Sequence, residues 1–358
     1  MVPLKPVKNS PEDLPHTFST HNPADDMHPT SRLILHIKNN RAGEEAFRFT
    51  GERIAAALER HGDAADRIDI RVDWDLDNFE KSMRDADALV TWDLPTAGLG
   101  DRAPHLRWIH IIGAGVEHLQ PLTWLPPRTI LTNNRGVHAE KTAESAAMAV
   151  LMLHNRIPAY VSDQRASRWN PVYVPPIAGK TVAVIGVGEM GGAATRAFKA
   201  LGLKVLGIRR GGAPHPSVDE MHGPDGLRTV LGAADFVHVT LPQTPETTGL
   251  IDRQAIRAMK QGAGLVNFGR APVIDHEALV EALRDGHLGG ALLDVHDPEP
   301  LPAGSPLWKV PNLILTPHVS SDDDRSYIPA TLDLVFENCK RLLNGESLKN
   351  RVDPSLGY

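Results

Sequence analysis

Two stretches of the chain alternate short apolar runs with segments long enough to be helices. The first stretch starts near residue 31 and the second near residue 180, and most of the apolar runs have the length of a buried strand. Strands that alternate with helices indicate βαβ units, and such units build parallel sheets. A chain of 358 residues is also longer than a single core usually supports. We therefore predict an α/β protein with two doubly wound parallel sheets and a cleft between them.

The expected element boundaries follow from the same pattern. Apolar runs predict strands at 31–37, 68–74, 88–92, 106–113 and 129–134, and then at 180–186, 204–210, 236–242, 264–270, 289–295 and 313–318. Amphipathic or alanine-rich runs predict helices at 41–61, 138–155, 189–202, 276–286 and 323–343. A proline-rich connection at 168–176 should lead into the second stretch.

Composition argues against several classes of partner. The net charge of −6 disfavours non-specific binding to nucleic acid or to an anionic membrane surface. No apolar run approaches the roughly 18 residues that indicate a transmembrane helix. Cys339 is the single cysteine, so neither an intrachain disulfide nor a Cys-x-x-Cys site can form, and we expect no metal.

The N-terminal segment differs from the rest of the chain. Residues 1–30 are rich in proline and lack apolar periodicity, so they cannot bury enough surface to offset the entropy of ordering them. We predict a tail there that is flexible or packed on a neighbour. Its start, MVPLKPVKNSPEDLP, lacks the apolar segment of a signal peptide, so we expect a cytoplasmic protein.

The second stretch opens with a glycine pattern between a strand and a helix. Gly186, Gly188 and Gly191, with Glu189 and Met190 between them, form a GxGxxG. The first glycine permits the tight turn, the second lets the backbone approach a pyrophosphate, and the third lets the helix pack against the strand. The helix N-terminus adds N–H donors and a positive partial charge. The pattern predicts a Rossmann-like dinucleotide site; the alternative is a structural turn without a ligand.

The end of the next predicted strand bears on which dinucleotide binds. NAD sites usually place an Asp or Glu about 20 residues after the glycines, where it accepts from a ribose hydroxyl. Here the strand ends in Arg209 and Arg210, and no Asp or Glu occurs between Glu189 and Asp219. Guanidinium groups bind the 2′-phosphate of NADP through charge-assisted hydrogen bonds. We predict NADP(H); the alternative is NAD(H) beside two solvated arginines.

Polar residues follow three further strands of the second stretch. They are Arg270, then Asp294 and Glu299, and then His318. The carboxyl ends of parallel strands meet at one edge of the sheet, where open α/β sheets bind ligands. An arginine there would hold a carboxylate, a histidine would move a proton, and a glutamate would orient and charge the imidazole. Taken singly, each could instead be an ion-pair partner or a surface residue.

These ordered segments resemble the D-isomer-specific 2-hydroxyacid dehydrogenase family. The resemblance is carried by the GxGxxG turn, TLPQTPETTGLI, LVNFGRAPVIDHEAL, LLDVHDPEPLP and TPHVS, and upstream by IIGAGVEHL and TNNRGVHAEKTAES. It covers residues 85–358. It implies a flavodoxin-like substrate domain at 31–136 plus 323–358 and a dinucleotide-binding domain at 137–322.

The resemblance also implies roles for individual residues. Arg270, Glu299 and His318 take the catalytic positions. The implied substrate loop, which binds a carboxylate through backbone N–H groups, is Gly113, Ala114, Gly115 and Val116. Besides the glycine turn and the two arginines, the implied cofactor contacts are Leu241, Pro242, Thr247, Phe268, Gly269 and Asp294. In the implied reaction a hydride passes from NADPH to C2 of a 2-oxo acid, while His318 gives a proton to the developing alkoxide.

Within the family, the closing segment RVDPSLGY and the SPLW before TPH are most similar to the glyoxylate/hydroxypyruvate reductase branch, which commonly uses NADPH. We therefore expect a small 2-oxo acid as substrate. The alternative is a bulkier acid such as phenylpyruvate, because pocket size depends on residues near Trp92 and on the C-terminal helix. The chain departs from the family pattern at Ala271-Pro272, at His296 in place of Phe, and at Ser145; the first two departures should change the walls near the nicotinamide.

Relatives with other functions are the remaining alternatives. Formate dehydrogenase shares the implied fold, but its members place Gln where this chain has Glu299. Phosphoglycerate dehydrogenase prefers NAD, which fits Arg209 and Arg210 poorly. A nucleotide-sensing corepressor is a third alternative, because such relatives can keep all three catalytic residues.

The predicted helix at 138–155 suggests an assembly. Its apolar residues are spread around the whole helix. A helix of this kind is buried on more than one side. One side would pack on its own domain and another on a second copy, as in the resembled family, so we expect a homodimer.

Overall fold

The structure is a computed structural model that describes residues 32–354. The predicted tail at 1–30 and the last four residues of the closing segment lie outside the described residues. The described chain forms two parallel sheets flanked by helices, which confirms the predicted α/β fold class. None of the helices between residues 32 and 354 is both long and apolar enough to span a membrane. The cytoplasmic location stays a prediction.

The first sheet is built from the first alternating stretch. Its strands are β1 (Leu33–Asn39), β2 (Ile68–Trp74), β3 (Ala88–Thr91), β4 (Trp108–Ile111) and β5 (Ile130–Asn133), with helices α1 (Gly51–Arg60), α2 (Gly62–Ala65), α3 (Phe79–Met83) and α4 (Leu99–Arg102). The strands are parallel in the order β2-β1-β3-β4-β5, which is the flavodoxin-like order.

The second sheet is built from the second stretch. Its strands are β6 (Thr181–Ile185), β7 (Lys204–Ile208), β8 (Glu220–His222), β9 (Phe236–Val239), β10 (Ala263–Asn267), β11 (Leu288–Leu293) and β12 (Leu313–Leu315). The helices around it are α5 (Ala139–His154), α6 (Ile157–Arg165), α7 (Glu189–Ala200), α8 (Leu227–Ala233), α9 (Arg253–Ala258) and α10 (His276–Arg284). The order is β12-β11-β10-β9-β6-β7-β8, so the winding direction changes between β9 and β6. Ligands of open α/β sheets bind beside such a reversal.

Two long helices connect the sheets. The buried side of α5, with Ala146 and Val150, packs in the core of the second sheet. The chain returns through α11 (Tyr327–Leu343), whose Leu332 and Phe336 pack in the core of the first sheet with Leu35. The predicted domain boundaries at 136 and 322 stay predictions.

The predicted helix at 41–61 is wrong in its first half. The helix α1 begins at Gly51, and the hydroxyl of Thr50 caps it by accepting from the N–H of Arg53. Before this cap, the side-chain amide of Asn39 pairs with both the N–H and the C=O of Phe49. These two bonds and the burial of Phe49 hold the segment in an extended path, apart from a short 3-10 turn at Glu45–Phe47.

Several short elements were not predicted, among them α6, α8, α9 and β8. Helix α6 starts almost directly after α5, because Arg156 adopts a left-handed conformation with φ of 58° and reverses the chain. Glycine usually marks such a position in a sequence, and here no glycine does. The proline-rich connection at 168–176 has no regular structure, as predicted.

Candidate active site

A cavity of about 490 Å³ lies between the two sheets. From the first sheet it is lined by residues that follow β1, β3 and β4, and from the second by residues that follow β10, β11 and β12. Met190, in the first turn of α7, and Tyr327, in the first turn of α11, complete the walls. The cavity therefore lies where carboxyl ends of strands from both sheets face each other.

His318 and Glu299 form a hydrogen-bonded pair at this cavity. Nδ1 of His318 lies 2.8 Å from Oε2 of Glu299, and His318 lines the cavity. The other carboxylate oxygen of Glu299 accepts from the backbone N–H of His296 at 2.8 Å. A carboxylate at this distance fixes the orientation of the imidazole ring. The two residues are thus arranged as a general acid and its partner.

The loop that carries His318 is held by Asp294. This carboxylate is 1% exposed and accepts from the hydroxyl of Thr316 at 2.5 Å and from the N–H groups of Val319 and Ser320 at 3.0 Å each. The described contacts make Asp294 the anchor of the loop, and it also borders the cavity. Its predicted contact with the cofactor stays a prediction.

Arg270 also borders the cavity, and its partner is a residue that sequence reasoning missed. Nε of Arg270 donates to Oε1 of Glu117 at 3.0 Å, and Nη1 donates to the carbonyl of Gly269 at 2.9 Å. Nη2 makes a longer contact of 3.5 Å with Oε2 of Glu117. Glu117 follows the glycine loop of the first sheet, so this ion pair joins the two domains across the cleft. Nothing in the local sequence around Glu117 signals a partner so far along the chain.

The predicted substrate loop follows β4. The carbonyls of Gly113 and Ala114 accept from Asn134 and Asn133, and these bonds fix the loop. Among residues 32–354, no acceptor is found for the N–H groups of Gly113, Ala114, Gly115 or Val116. Backbone donors of this kind suit a carboxylate. The side chain of Val116, by contrast, is buried in the core of the first domain.

The glycines of this loop are needed because other groups approach closely. A Cβ at Gly115 would collide with the side chains of Glu117 and Arg270. A Cβ at Gly113 would collide with the ring of Trp92, which stacks on His118 with centroids 4.1 Å apart. Glycine at both positions therefore lets the loop, the ion pair and the aromatic wall meet at the cavity.

The GxGxxG turn has the geometry that its sequence predicted. Gly186 has a φ of 105°, which a side chain would strain. A Cβ at Gly191 would collide with the carbonyl of Gly186, so this glycine allows the close helix–strand packing. A Cβ at Gly188 meets nothing within 4 Å, so the backbone there faces open space. Glu189 and Met190 occupy the first turn of α7, and only Met190 of these two borders the cavity.

The other implied cofactor contacts lie beside this turn. A Cβ at Gly269 would come 2.5 Å from the carbonyl of Leu241, whose side chain in turn lies against Gly186. Phe268 borders the cavity. The hydroxyl of Thr247 is occupied within its own loop, because it donates to the carbonyl of Pro242 at 2.7 Å. Gly269 and Leu241 therefore lie beside the glycine turn, and Phe268 lies at the cavity. Thr247 and Pro242 are bonded to each other in the loop that follows Leu241.

Arg209 and Arg210 lie exposed just after β7. His215, which sequence reasoning missed, is packed against Gly192 of α7. Burial lowers the pKa of His215, and the nearby cations Arg196 and Arg209 lower it further. The end of β7 thus carries a cluster of basic side chains.

Asp219, the first carboxylate after the glycine turn and Glu189, does not lie at the carboxyl end of β7. The carboxylate of Asp219 accepts from the backbone N–H of Val205, the second residue of β7, and from Nζ of Lys199 at 2.8 Å. It is therefore tied near the amino end of β7 and does not reach the carboxyl end, where a ribose would be bound.

Two departures from the family pattern lie outside the cavity lining. Neither Ala271 nor His296 lines the cavity, and the prediction that they change the walls near the nicotinamide stays a prediction. Ala271 is buried in a short 3-10 turn, and the ring of His296 is turned toward the carbonyl of Thr316. Ser145 is buried on α5. The part of the chain that the structure describes holds no group of three or more His, Cys, Asp or Glu side chains that could bind a metal ion.

A glycine turn for a pyrophosphate, a His–Glu pair and an arginine around one cleft define a nicotinamide-dinucleotide-dependent dehydrogenase. Comparison with known proteins identifies the family. The model of the D-isomer specific 2-hydroxyacid dehydrogenase NAD-binding domain matches residues 147–320. The glyoxylate reductase of Thermofilum pendens is 34% identical over 261 residues, which are 70% of this chain and 77% of that protein. The chain belongs to the D-isomer specific 2-hydroxyacid dehydrogenase family.

Other similar proteins agree with this assignment. Glyoxylate/hydroxypyruvate reductase B of Yersinia enterocolitica is 31% identical over 265 residues, 72% of this chain and 80% of that protein. A D-isomer specific 2-hydroxyacid dehydrogenase of Xanthobacter autotrophicus, solved with NADPH and MES, superposes with a TM-score of 0.76 at 31% identity, covering 92% of this chain and 100% of that one. An NADPH-dependent glyoxylate/hydroxypyruvate reductase of Sinorhizobium meliloti, solved with NADP and sulfate, has a TM-score of 0.73 at 29% identity, covering 90% and 99%. The chain is thus an enzyme that interconverts 2-oxo and 2-hydroxy acids.

Proposed function

We propose that the enzyme reduces a small 2-oxo acid of the glyoxylate or hydroxypyruvate type to the D-2-hydroxy acid with NADPH. One observation carries this proposal: His318, whose ring is hydrogen-bonded to Glu299, lines a single cavity together with Arg270 and the glycine loop 113–115. The names of the similar reductases support the same substrate class.

The residues around the cavity divide the chemistry among them. Bound NADPH supplies the hydride. A guanidinium carries five N–H groups, and three of those on Arg270 are engaged by Glu117 and Gly269, so two remain for the carboxylate and carbonyl of the substrate. The N–H groups of residues 113–116 would bind the same carboxylate. His318 donates a proton to the developing alkoxide, and Glu299 orients its imidazole.

The preference for NADPH rests on the charge at the end of β7. Arg209 and Arg210 follow the strand there, and Asp219 is engaged near the other end of the strand. Two guanidinium groups favour a 2′-phosphate, and Asp219 is not placed to accept from a ribose hydroxyl of NADH. Solved relatives named with NADPH or NADP support the same choice.

Steady-state kinetics with both dinucleotides test the cofactor. We expect kcat/KM for NADPH to exceed that for NADH at least tenfold, or roughly 1.4 kcal/mol. Arg209→Asp should weaken NADPH far more than NADH. Arg165→Asp is the matched control, because it makes the same charge change on α6, which packs by β11 and β12 at the opposite edge of the sheet. Equal use of both dinucleotides by the wild-type enzyme would refute the preference.

A bulkier 2-oxo acid such as phenylpyruvate is the second candidate substrate. Phe47, Trp92 and Tyr327 give one part of the cavity an aromatic lining, which favours an apolar side chain. A panel of 2-oxo acids, each assayed with NADPH and NADH, separates the candidates. If glyoxylate and hydroxypyruvate are inert while phenylpyruvate turns over, the first proposal is wrong. If none of the acids turns over, a nucleotide-sensing role gains support over catalysis.

A further inference from the structure

His296 is hydrogen-bonded through two different groups to Glu299 and to Thr316, which precedes His318 by two residues. Its backbone N–H donates to Oε1 of Glu299 at 2.8 Å. Its ring Nε2 lies 2.9 Å from the carbonyl oxygen of Thr316, two residues before His318. Because a carbonyl only accepts, Nε2 carries the proton and the ring donates. One residue therefore links the loop of Glu299 to the loop of His318.

The backbone around His318 needs such a restraint. His318 has a φ of 55°, a left-handed conformation that is costly for a residue with a side chain. A strained conformation persists only where the surrounding contacts impose it. Thr316 supplies three of these contacts: its N–H donates to Leu293 at 3.0 Å, its hydroxyl donates to Asp294, and its carbonyl accepts from His296.

The ring of His296 also has an unsatisfied atom. Nδ1 is buried and finds no hydrogen-bond partner among residues 32–354. The same is true of Nε2 of His276, the nearby histidine at the start of α10. A buried polar atom without a partner costs free energy, which an apolar ring at position 296 would avoid. The imidazole thus keeps a cost on one nitrogen while the other holds the Thr316 carbonyl.

We propose that His296 is a positioning residue, which acts through the Thr316 carbonyl to hold His318 at hydrogen-bond distance from Glu299. This inference rests on the proposed catalytic roles of His318 and Glu299. His296 is not among the residues that line the cavity, so we assign it a role through its neighbours. The ring of His296 positions the loop of His318 through the Thr316 carbonyl, and its backbone N–H positions the carboxylate of Glu299.

A series of three substitutions tests the ring donor. His296→Phe keeps a ring without a donor, His296→Asn carries a donor that is too short to reach Thr316, and His296→Gln carries a donor of suitable length. Misplacing a general acid lowers the rate on the order of ten- to a hundredfold. We expect that loss in kcat for His296→Phe and His296→Asn, with an unchanged KM for NADPH. In His296→Gln, kcat should recover to within about threefold of the wild-type value. If the His296→Phe variant does not fold, the kcat of His296→Asn compared with that of His296→Gln decides.

A double-substitution cycle separates positioning from general destabilisation. In a His318→Gln background, His296→Phe should change the residual rate less than about twofold, because the group it positions is gone. His276→Gln is the matched control; it removes the neighbouring imidazole and should leave kcat as in the wild type. Equal kcat in the wild type, His296→Phe and His296→Asn would overturn the proposal. So would fully additive effects of His296→Phe and His318→Gln on the rate.

A measurement without turnover distinguishes failure of this inference from failure of the proposed function. In ¹⁵N-histidine-labelled protein, the Nδ1 resonance of His318 reports its hydrogen bond to Glu299. We expect that signature in the wild type and in His296→Gln, and its loss in His296→Phe. An unchanged signature in His296→Phe overturns the inference. Absence of turnover with every 2-oxo acid would instead refute the proposed function alone.

Discussion

His318, which we propose as the proton donor, is held in the site by several contacts. His318 keeps a left-handed backbone, a carboxylate at 2.8 Å from its ring, and a loop anchored to the buried Asp294. Reduction needs a proton delivered from this ring to the developing alkoxide. The Glu299 carboxylate, bonded to Nδ1, fixes the direction in which the ring can deliver it.

Replacing Glu299 tests this role. Glu299→Gln keeps the shape and removes the charge, so kcat for reduction should fall about tenfold or more, because the ring of His318 loses its carboxylate partner during proton transfer. His318→Gln should cost on the order of 10²–10⁴ in rate. Steady-state kcat is the measurement, with Glu277→Gln on the exposed face of α10 as control. A wild-type kcat in Glu299→Gln contradicts the pairing.

His238 and His110 are both buried, but only the ring of His110 has hydrogen-bond partners. Burial lowers the pKa of His238 to about 3 and that of His110 to about 4. Both ring nitrogens of His238 lack partners in the described chain, whereas His110 bonds to Thr132 at 2.9 Å and to Asn134 at 3.1 Å. His238→Leu should therefore keep or raise the free energy of unfolding. His110→Leu should lower it by about 1–3 kcal/mol, because polar partners lose a bond.

Acid titration adds a second check on these histidines. In the unfolded chain each imidazole takes up a proton as the pH falls through about 6.5, while the folded protein keeps both rings neutral. Stability is therefore complete above pH 6.5 and declines as the pH falls toward the folded pKa values, by up to about 1.4 kcal/mol per pH unit for each ring. Chemical denaturation between pH 7 and pH 5 measures the slope. Either substitution should flatten it, and a slope equal to that of the wild type would contradict the assignment.

At the scale of elements, the turn from β6 to α7 separates a packing glycine from a binding glycine. Gly191→Ala places a Cβ against the carbonyl of Gly186, so Tm should fall. Gly188→Ala meets no atom within 4 Å, so Tm should be unchanged while the Kd for the dinucleotide rises at least about tenfold. Thermal unfolding and dinucleotide titration of the two variants are the measurements. A normal Kd in Gly188→Ala would mean that the backbone there does not approach a ligand.

At the scale of the whole molecule, we propose that two copies associate through α5 and the connection at 168–176. In this connection Trp169 is 95% and Tyr173 is 94% exposed. The base of the connection is held, because Arg168 pairs with Asp163 and Tyr160 donates to the carbonyl of Val172. Large aromatic side chains on a fixed segment favour contact with a protein surface.

Sedimentation tests this homodimer. The wild type should have the mass of a dimer at micromolar concentration, and Trp169→Ala combined with Tyr173→Ala should shift it toward the monomer. Leu76→Ser, which changes an exposed apolar residue of the first domain, is the control and should leave the mass unchanged. A monomeric wild type would refute the proposal.

The sequence by itself determined the features that depend on local pattern and chain order. Alternating apolar runs predicted both parallel sheets, and the glycine spacing predicted a turn that the φ of Gly186 and the packing of Gly191 bear out. Polar residues after successive strands predicted that Arg270, Glu299 and His318 would meet, since the carboxyl ends of parallel strands share one edge. These inferences succeed because strand period, turn geometry and strand order are properties of neighbouring residues.

Only the tertiary structure decided which distant groups meet. Glu117 is 153 residues from Arg270, and their ion pair exists because the two domains face each other across the cleft. Asn39 overrides the helical pattern of the following segment by bonding to the backbone of Phe49. Asp294 and His296 hold the His318 loop through hydrogen bonds that no sequence spacing predicts. Such contacts depend on side-chain directions and on packing between elements, which a linear pattern does not contain.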